Sequence, residues 1–241
     1  MRILIISDIH SNLTALEAVL ADAGDVDQTW CLGDVVGYGP DPNACVEKIR
    51  ALKNLTCVLG NHDAAVLGLI DLQAFNYEAR HSLLWQQKHL NSDSRSFLEE
   101  LQERVEFNEF TLVHGSPRNP VWEYLMDIQT ARLNFSYFQT RACLIGHTHL
   151  PRIFLQHSNS NISLKYFTVG EVFTLNNRFI LNPGSVGQPR DRDPRAAYVI
   201  YDSEANTWQL KRVAYAYEPV QDRIIAAGLP RMHAYRLAQG I

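Results

Sequence analysis

The first sixty residues alternate short apolar runs with helical segments, and this alternation constrains the fold most. Residues 3–7 form a continuous, β-branched apolar run, as expected of a buried strand. We predict a helix over 12–21, a strand over 29–32, a helix from an Asp41-Pro42 start to about Leu52, and a strand over 55–59. This β-α-β-α-β order predicts a mainly parallel sheet covered by helices.

The remainder of the chain divides into a helical and a strand-rich part. Residues 64–104 are rich in good helix formers, and Ser94 is the expected cap of a last helix that reaches Leu101. Strands are predicted at 110–113, 142–145, 162–169, 178–181, 197–201 and 208–213, and a closing helix at 218–227. The strands after residue 152 are expected to form an antiparallel sheet. We therefore expect one α/β domain over residues 1–241, built of two packed sheets with outer helices, with 64–107 as a helical insertion near the active site.

Composition narrows the class of protein. The net charge is -4 with acids and bases mixed along the chain, which argues against binding to a nucleic-acid polymer. The sequence predicts neither a signal peptide nor a membrane span, because no apolar run approaches the roughly 20 residues that a span needs. The four cysteines lack CxxC spacing and are expected to be reduced and buried. These features predict a cytoplasmic protein with no membrane partner.

Five short polar segments follow predicted strands: Asp8-Ile9-His10, Gly33-Asp34, Gly60-Asn61-His62-Asp63, His114-Gly115 and Gly146-His147-Thr148-His149. Ligands of open α/β sheets bind outside the carboxyl ends of the strands, so these segments are expected to meet in space. Taken singly, each has an ordinary explanation, such as a turn, a helix cap or a packed histidine. Five in a row after strands, holding five of the nine histidines, favour one shared site. The other four, His81, His89, His157 and His233, are expected in surface or packing roles.

The side chains of this set are those of a divalent metal site. Carboxylates and imidazoles suit Mn, Fe and Zn, and the absence of Cys argues against a structural zinc site. At an extended strand end, residues two apart point the same way, so Asp8 with His10, and His147 with His149, can each face one metal cluster. Asp34 can bridge two ions, because a carboxylate has two oxygens with free lone pairs.

The order DxH, GD, GNHD, HG, GHTH resembles that of the calcineurin-like metallophosphoesterase superfamily, in its small bacterial and archaeal phosphodiesterase branch. The resemblance spans Asp8 to about Arg195. It implies a four-layer α/β/β/α sandwich, in which two mixed sheets pack face to face between outer helices.

The resemblance also implies a role for each matching residue. Two divalent ions would be held by seven ligands, the first by Asp8, His10 and His149, the second by Asn61, His114 and His147, with Asp34 shared. A metal-bridging hydroxide would attack the phosphate. His62 would protonate the leaving group or steady the phosphate, and Asp63 would orient His62. Manganese is the first candidate metal, with Fe, Zn, Co or Ni as alternatives.

Further residues are candidates for substrate contact. Arg190 lies in the turn 182–190 and could pair with phosphate oxygens, as could Arg118. Asn12 could contact phosphate or cap the first helix. Tyr38 is expected to be a stiff wall beside the metals. Trp122 and Tyr124 could stack a substrate ring or pack, and we expect packing for one of them.

The sequence departs from the family at one informative place. Protein phosphatases of the superfamily continue the second motif as GDxVDRG, whereas Gly37 and Tyr38 replace the Asp-Arg pair here. We therefore expect small phosphate esters, most of all phosphodiesters or nucleotides, as substrates rather than phosphoproteins. Dinucleoside polyphosphates and phosphomonoesters are the alternatives. A non-catalytic scaffold of the same fold is disfavoured by the presence of His62 and all seven ligand positions. Natural substrate, physiological metal and oligomeric state stay open.

Overall fold

The computed structural model describes all residues from Met1 to Ile241. Its strands are β1 Arg2–Ile6, β2 Gln28–Cys31, β3 Leu55–Cys57, β4 Arg104–Phe107, β5 Phe110–Val113, β6 Ala142–Leu144, β7 Arg152–Gln156, β8 Ile162–Tyr166, β9 Val172–Thr174, β10 Arg178–Asn182, β11 Ala196–Asp202 and β12 Thr207–Val213. Its helices are α1 Leu13–Ala23, α2 Pro42–Arg50, α3 Asn61–Leu67, α4 Tyr77–His89, α5 Ser92–Glu99, α6 Ile128–Asn134, α7 Glu218–Ala226 and α8 Arg231–Gln239. None of these helices has the length and apolar character needed to cross a membrane.

The strands form two mixed sheets of six. The first sheet has the order β3-β2-β1-β11-β12-β9, and the second has the order β4-β5-β6-β10-β7-β8. In the first sheet β1, β2 and β3 run parallel, and β11 joins antiparallel to β1. In the second, β6 is parallel to both of its neighbours. The parallel cores bring the carboxyl ends of β1, β2, β5 and β6 to the side of the fold where the polar segments lie.

The alternation of side chains along β1 builds two cores at once. Ile3 and Ile5 point between the sheets and pack in a cluster with residues such as Trp208 and Phe179. Leu4 and Ile6 point the other way and pack in a second cluster, under the helices on the outer face of the first sheet. Because successive side chains of a strand face opposite sides, a strand buried on both faces must be apolar throughout. The predicted four-layer α/β/β/α sandwich is confirmed, with α6 packed on the outer face of the second sheet.

Several predicted boundaries differ from the structure. Ser94 lies inside α5, and the cap is Asn91, whose side chain accepts a hydrogen bond from the Ser94 N–H at 2.8 Å. The two residues are equally good caps by type, so the local pattern could not choose between them. The helical segment 64–107 ends in strand β4, which pairs antiparallel with β5. Val105 and Phe107 are residue types that favour strands, and the pairing with β5 stabilises the strand at this position.

The strands after residue 152 do not form one sheet. β7, β8 and β10 belong to the second sheet, whereas β9, β11 and β12 belong to the first. Alternation along a strand predicts that it has a buried face, but it does not identify the neighbouring strand. The chain then continues beyond the predicted closing helix into α8, which packs against α7 around Val220 and Leu237.

Candidate metal centre

All five polar segments meet at one end of the two sheets. Backbone hydrogen bonds tie the segment after β1 to the segment after β2, with the His10 N–H donating to Asp34 O at 3.0 Å. The segment after β6 is tied to the first one, because the His147 N–H donates to the Asp8 carboxylate, 3.1 Å from Oδ2. The turn after β10 joins them, since the Gly187 N–H donates to Asp8 O at 2.9 Å. The predicted convergence is therefore present in the fold.

The local backbone differs from the extended conformation that we expected. Asp8, His10, Asp34, His147 and His149 all have positive φ angles, between 48° and 64°. Such left-handed conformations are unfavourable for residues other than glycine, and they persist only where the surroundings enforce them. Asp8 and His10 are thus directed by left-handed backbone conformations rather than by strand alternation. The extended geometry on which the expectation for both pairs rested is therefore wrong.

A first group of ligand-type side chains consists of Asp8, His10 and His149. Their ligand-type atoms lie within 4.8 Å of one another. His149 Nε2 is 3.2 Å from Asp8 Oδ1, and His10 Nε2 is 3.8 Å from the same oxygen. This group is the set that the sequence assigned to the first ion.

A second group contains Asp34, His114 and His147, and its Asp34 also lies near His10 of the first group. Asp34, His114 and His147 again place their ligand-type atoms within 4.8 Å. Asp34 Oδ2 is 3.3 Å from His114 Nε2 and 3.6 Å from His10 Nε2, so one carboxylate oxygen faces both groups. Asn61 Oδ1 lies 3.0 Å from His114 Nε2 and adds the predicted amide oxygen. All seven predicted ligand residues are between 0% and 3% exposed.

In each of the four imidazoles one ring nitrogen contacts a backbone carbonyl outside the cluster, and this contact determines which nitrogen faces inward. His10, His114 and His149 each have Nδ1 within hydrogen-bond distance of a backbone carbonyl, those of Val36, Leu32 and Gln188. His147 uses Nε2 instead, 3.1 Å from Trp122 O. A neutral imidazole that donates from one nitrogen presents a lone pair on the other. Metal-binding histidines use this arrangement to fix their tautomer.

The spacing of His10 and His149 tests whether this site fits a metal. Their Nε2 atoms lie 3.0 Å apart in a buried setting. Because both rings donate from Nδ1, both facing Nε2 atoms are acceptors, and two acceptors cannot hydrogen-bond to each other. A cation between them resolves this conflict, as it does for the buried carboxylates beside them. The donor set of imidazole, carboxylate and amide oxygen fits a divalent transition metal.

Electrostatics in the cluster favour the ligand forms of most side chains. Burial, assisted by His149, holds the pKa of His10 well below its ordinary value, and burial with His114 does the same for His147. Burial opposes ionisation of Asp8, but His149, His114 and Ser7 together outweigh it and lower the pKa of Asp8. His114 differs. Burial opposes its protonation, yet Asp34 and Asp8 raise its pKa to about 10.

His62 stands beside the cluster at the start of α3. Its ring lies 4.9 Å from that of His10 and 4.4 Å from that of Tyr38. Burial lowers the pKa of His62 to about 4. Its Nδ1 is buried without a hydrogen-bond partner. One of its ring nitrogens also lies within 4.8 Å of ligand atoms of His10 and Asp34, close enough to reach whatever binds there.

Asp63 has partners other than the one predicted for it. Its carboxylate accepts hydrogen bonds from the backbone N–H groups of Val36, Gly60 and Val35, at 3.0, 3.1 and 3.3 Å. No hydrogen bond joins it to His62, so the predicted orientation of His62 by Asp63 has no direct contact to support it. Burial and the nearby Asp34 raise the pKa of Asp63 to about 7. The side chain connects the segment after β2 to the start of α3.

Tyr38 and Arg190 form the wall next to His62. The Tyr38 ring is 4.5 Å from the His10 ring and is 8% exposed, in keeping with the expected stiff wall. Arg190 donates from Nη2 to the Tyr38 hydroxyl at 3.3 Å and to Gln188 Oε1 at 3.1 Å. Its Nε is buried without a partner. This guanidinium has no carboxylate partner, and its Nε–H is free to donate a hydrogen bond to an anion.

Two other predicted contacts are occupied elsewhere. Arg118 forms an ion pair with Glu123 at the surface. Asn12 acts as the cap of α1, since its Oδ1 accepts from the Ala15 N–H at 3.1 Å and its Nδ2 donates to Gly187 O at 3.0 Å. Both are therefore weaker candidates for phosphate contact than Arg190. The local sequence could not reveal the Glu123 pairing, which depends on the fold of the 115–123 turn.

The mouth of the site is lined by aromatic rings. Tyr124 stacks on His147 with ring centroids 3.8 Å apart and is 50% exposed. Trp122 packs edge-on against Phe75 at 5.0 Å, and Phe75 in turn contacts the His62 ring at 5.2 Å. Trp122 is thus the packing member of the pair, as expected for one of them. Phe75 was missed, because an isolated aromatic in a helical segment carries no signal of its position.

Comparison with known proteins agrees with this geometry. Residues 1–206 match the model of the calcineurin-like phosphoesterase superfamily domain. A metallophosphoesterase from Sphaerobacter thermophilus superposes with a TM-score of 0.92, at 46% identity, covering 100% of this chain and 99% of that one. An uncharacterized protein of Methanocaldococcus jannaschii is 37% identical over 246 residues, covering 99% of this chain and 98% of its own.

A third similarity is confined to part of the chain. The symmetrical bis(5'-nucleosyl)-tetraphosphatase of Pectobacterium atrosepticum is 34% identical over 73 residues, which is 29% of this chain and 26% of that enzyme. The fold and the family match define a metal-dependent hydrolase of phosphate esters. The chain belongs to the calcineurin-like phosphoesterase superfamily.

Proposed function

We propose that this protein hydrolyses small phosphate esters, most of all phosphodiesters or nucleotides, at a dinuclear metal centre. The observation that carries the proposal is that Asp34 Oδ2 lies 3.6 Å from His10 Nε2 in the first group and 3.3 Å from His114 Nε2 in the second. Asp8, His10 and His149 would hold one ion, and Asn61, His114 and His147 the other. Two ions bound in this way supply the acidity that activates a water and the positive charge that stabilises an in-line displacement at phosphorus.

The side chains around the centre then divide the remaining work. Arg190 holds a phosphate oxygen with the guanidinium that no carboxylate neutralises. His62 is neutral at pH 7, because burial lowers its pKa to about 4. In this state it steadies the phosphate by donating a hydrogen bond. Protonation of the leaving oxygen needs the negative charge of bound phosphate to raise the His62 pKa. Asp63 acts on His62 through the backbone that both share.

The surroundings of the site support small substrates. The ligands are nearly inaccessible, and the rings of Phe75, Trp122 and Tyr124 flank the approach to them. Gly37 and Tyr38 stand in place of the Asp-Arg pair whose arginine binds the phosphate in protein phosphatases.

We infer manganese as the metal and the cytoplasm as the location, as expected from the sequence.

A second candidate is hydrolysis of dinucleoside polyphosphates. It is favoured by the similarity of a 73-residue stretch to symmetrical bis(5'-nucleosyl)-tetraphosphatases. The exposed ring of Tyr124 beside His147 is placed where a nucleobase could stack. That similarity covers only about a quarter of those enzymes, so simple phosphodiesters remain the first candidate.

The test is a substrate panel with controlled metal content. The purified protein is chelated, reloaded with Mn²⁺, Fe²⁺, Zn²⁺, Co²⁺ or Ni²⁺, and assayed on bis-p-nitrophenyl phosphate, phosphomonoesters, cyclic nucleotides and dinucleoside polyphosphates. We expect turnover of diesters that disappears on chelation and returns with Mn²⁺. Asp34→Asn should abolish it, because an amide has only one oxygen to offer two ions.

The exposed Asp222→Asn is the matched control and should retain full turnover. Faster hydrolysis of dinucleoside polyphosphates than of diesters would favour the second candidate. No turnover of any ester with any of these metals would refute both.

A further inference from the structure

We propose that Gln86, on helix α4, is a positioning residue that holds the loop 37–39 against His62 and so sets the geometry of phosphate-ester hydrolysis. The inference rests on the proposed function and gives the helical segment a role within it. Gln86 belongs to none of the motifs that carry the family resemblance.

The buried amide of Gln86 joins two loops of the metal centre. Its Oε1 accepts from the Gly37 N–H at 2.6 Å, and its Nε2 donates to Gly39 O at 2.9 Å. Nε2 also donates to Ser11 Oγ at 3.0 Å, in the loop that contains His10. The side chain is 0% exposed. All three partners lie in the loops that follow Asp8-Ile9-His10 and Gly33-Asp34, and none lies in the hydrophobic cores.

The loop 37–39 needs such a restraint because its backbone is strained. Tyr38 has φ 52°, in the left-handed region that a bulky aromatic residue rarely adopts, and Gly37 has φ 105°. A conformation of this kind persists only where surrounding contacts determine it. Gln86 bonds a backbone group of each residue that flanks Tyr38, the N–H of Gly37 and the carbonyl of Gly39. Its removal would leave the Gly37 N–H buried without a partner.

The position of this loop determines the surroundings of His62. Gly37 lies so close to the His62 ring that a Cβ at residue 37 would collide with Nδ1. The Tyr38 ring contacts both His62 and His10, and its hydroxyl accepts a hydrogen bond from Arg190. A shift of the loop therefore moves both groups assigned to the phosphate. A misplacement of about 1 Å costs on the order of a hundredfold in rate at a positioned site.

Two substitutions of Gln86 separate positioning from folding. Gln86→Met keeps the length of the side chain but removes all three hydrogen bonds. Gln86→Glu keeps the acceptor for the Gly37 N–H and loses both donations. Gln87→Met is the matched control, since Gln87 is the next residue of α4 and its Nε2 donates to Ala65 O at 3.0 Å, outside the two loops.

The measurements are hydrogen–deuterium exchange of residues 35–40, Mn²⁺ bound per chain, the thermal midpoint, and kcat and KM on a diester that the unmodified protein hydrolyses. For Gln86→Met we expect faster exchange in 35–40 with and without Mn²⁺, unchanged Mn²⁺ content, and a kcat lower by about tenfold to a hundredfold. KM should change less than kcat. Gln86→Glu should lie between Gln86→Met and the unmodified protein, and Gln87→Met should match the unmodified protein in every readout.

Several outcomes would overturn the inference. Unchanged exchange in 35–40 would show that Gln86 does not hold the loop. Faster exchange with unchanged kcat, or a loss of kcat that only follows loss of Mn²⁺, would show that Gln86 has a structural role and does not position the site. If Gln86→Met does not fold, Gln86→Glu decides by the same readouts. An unmodified protein that hydrolyses no ester refutes the proposed function and the catalytic role together, and the exchange data would still report separately whether Gln86 restrains the loop.

Discussion

Individual histidines in this site differ in what their outer nitrogen contacts. The four imidazoles among the predicted ligands each direct one nitrogen to a backbone carbonyl, and the other nitrogen faces the cluster. His62 has no such contact for Nδ1. We propose that the four histidines with such a contact are metal ligands and that His62, which lacks one at Nδ1, contacts the phosphate.

Replacement of His62 tests this division. His62→Ala should bind the same number of Mn²⁺ ions as the unmodified protein but lose kcat by about a hundredfold or more, as expected when a proton-donating group is removed. The loss should be smaller for an ester whose leaving group departs without protonation, such as p-nitrophenolate. Metal content and kcat for aryl and alkyl esters are the measurements.

The exposed His81→Ala provides the control and should keep both properties. If His62→Ala lost its metals instead, His62 would be a ligand, and the assignment of roles in the cluster would be wrong.

Among the elements of the fold, the closing helix α8 packs against the wall of the site. His233 of α8 is buried, and its ring lies 4.7 Å from that of Tyr38. Its Nε2 is 3.2 Å from Glu78 O on α4. The wall of the site is therefore held between α4, through Gln86, and α8, through His233. These helices lie outside the five segments by which the family is recognised.

The burial of His233 predicts an acid-sensitive contribution to stability. Burial, which outweighs the Glu78 carbonyl, lowers its pKa in the folded protein from 6.5 to about 4. Between these pH values the unfolded chain binds a proton that the folded chain does not, so the free energy of unfolding falls as pH falls. The loss is about 3 kcal/mol across that window.

The measurement is urea unfolding between pH 7 and pH 4. His233→Gln, which cannot titrate but can still donate to Glu78 O, should show a shallower decline than the unmodified protein. His157→Gln, at an exposed histidine, should keep the original slope. Identical slopes for all three proteins would mean that His233 titrates normally.

At the scale of the whole molecule, loops from both sheets meet at the site and bury their polar side chains there. The predicted ligands are nearly inaccessible, and they bring two buried carboxylates and four imidazoles together. Such groups are costly to bury unless a cation compensates them. Metal binding is therefore expected to contribute to the stability of the entire fold as well as to chemistry.

Chelation tests this coupling. Thermal unfolding of the Mn²⁺-loaded protein should occur at a higher temperature than that of the chelated protein. A ligand at a hundred times its Kd stabilises the folded state by about 2.7 kcal/mol per site. Asp34→Asn should remove most of the shift and Asp222→Asn none of it. Equal midpoints with and without Mn²⁺ would mean that the folded and unfolded chains bind the metal alike.

The sequence by itself determined the local features of this protein. Apolar runs and caps identified most strands and helices, and five polar segments after strands identified the residues of the centre. These patterns are readable because burial and backbone propensity act between residues close in the chain. The same reasoning predicted Tyr38 as a wall of the site, where its ring lies against His10 and His62, and it disfavoured a protein phosphatase because Gly37 and Tyr38 replace the Asp-Arg pair.

Only the tertiary structure decided the contacts between distant residues. It paired the strands after residue 152 with two different sheets, and it joined His147 to the Asp8 carboxylate across 139 positions. It paired Arg118 with Glu123 and bonded the Asp63 carboxylate to backbone N–H groups. It also brought Gln86 into contact with the loop 37–39. The local sequence around a polar residue looks the same whether its side chain is exposed or buried in the fold. Its partner is chosen by the packing of elements that only the complete fold brings together.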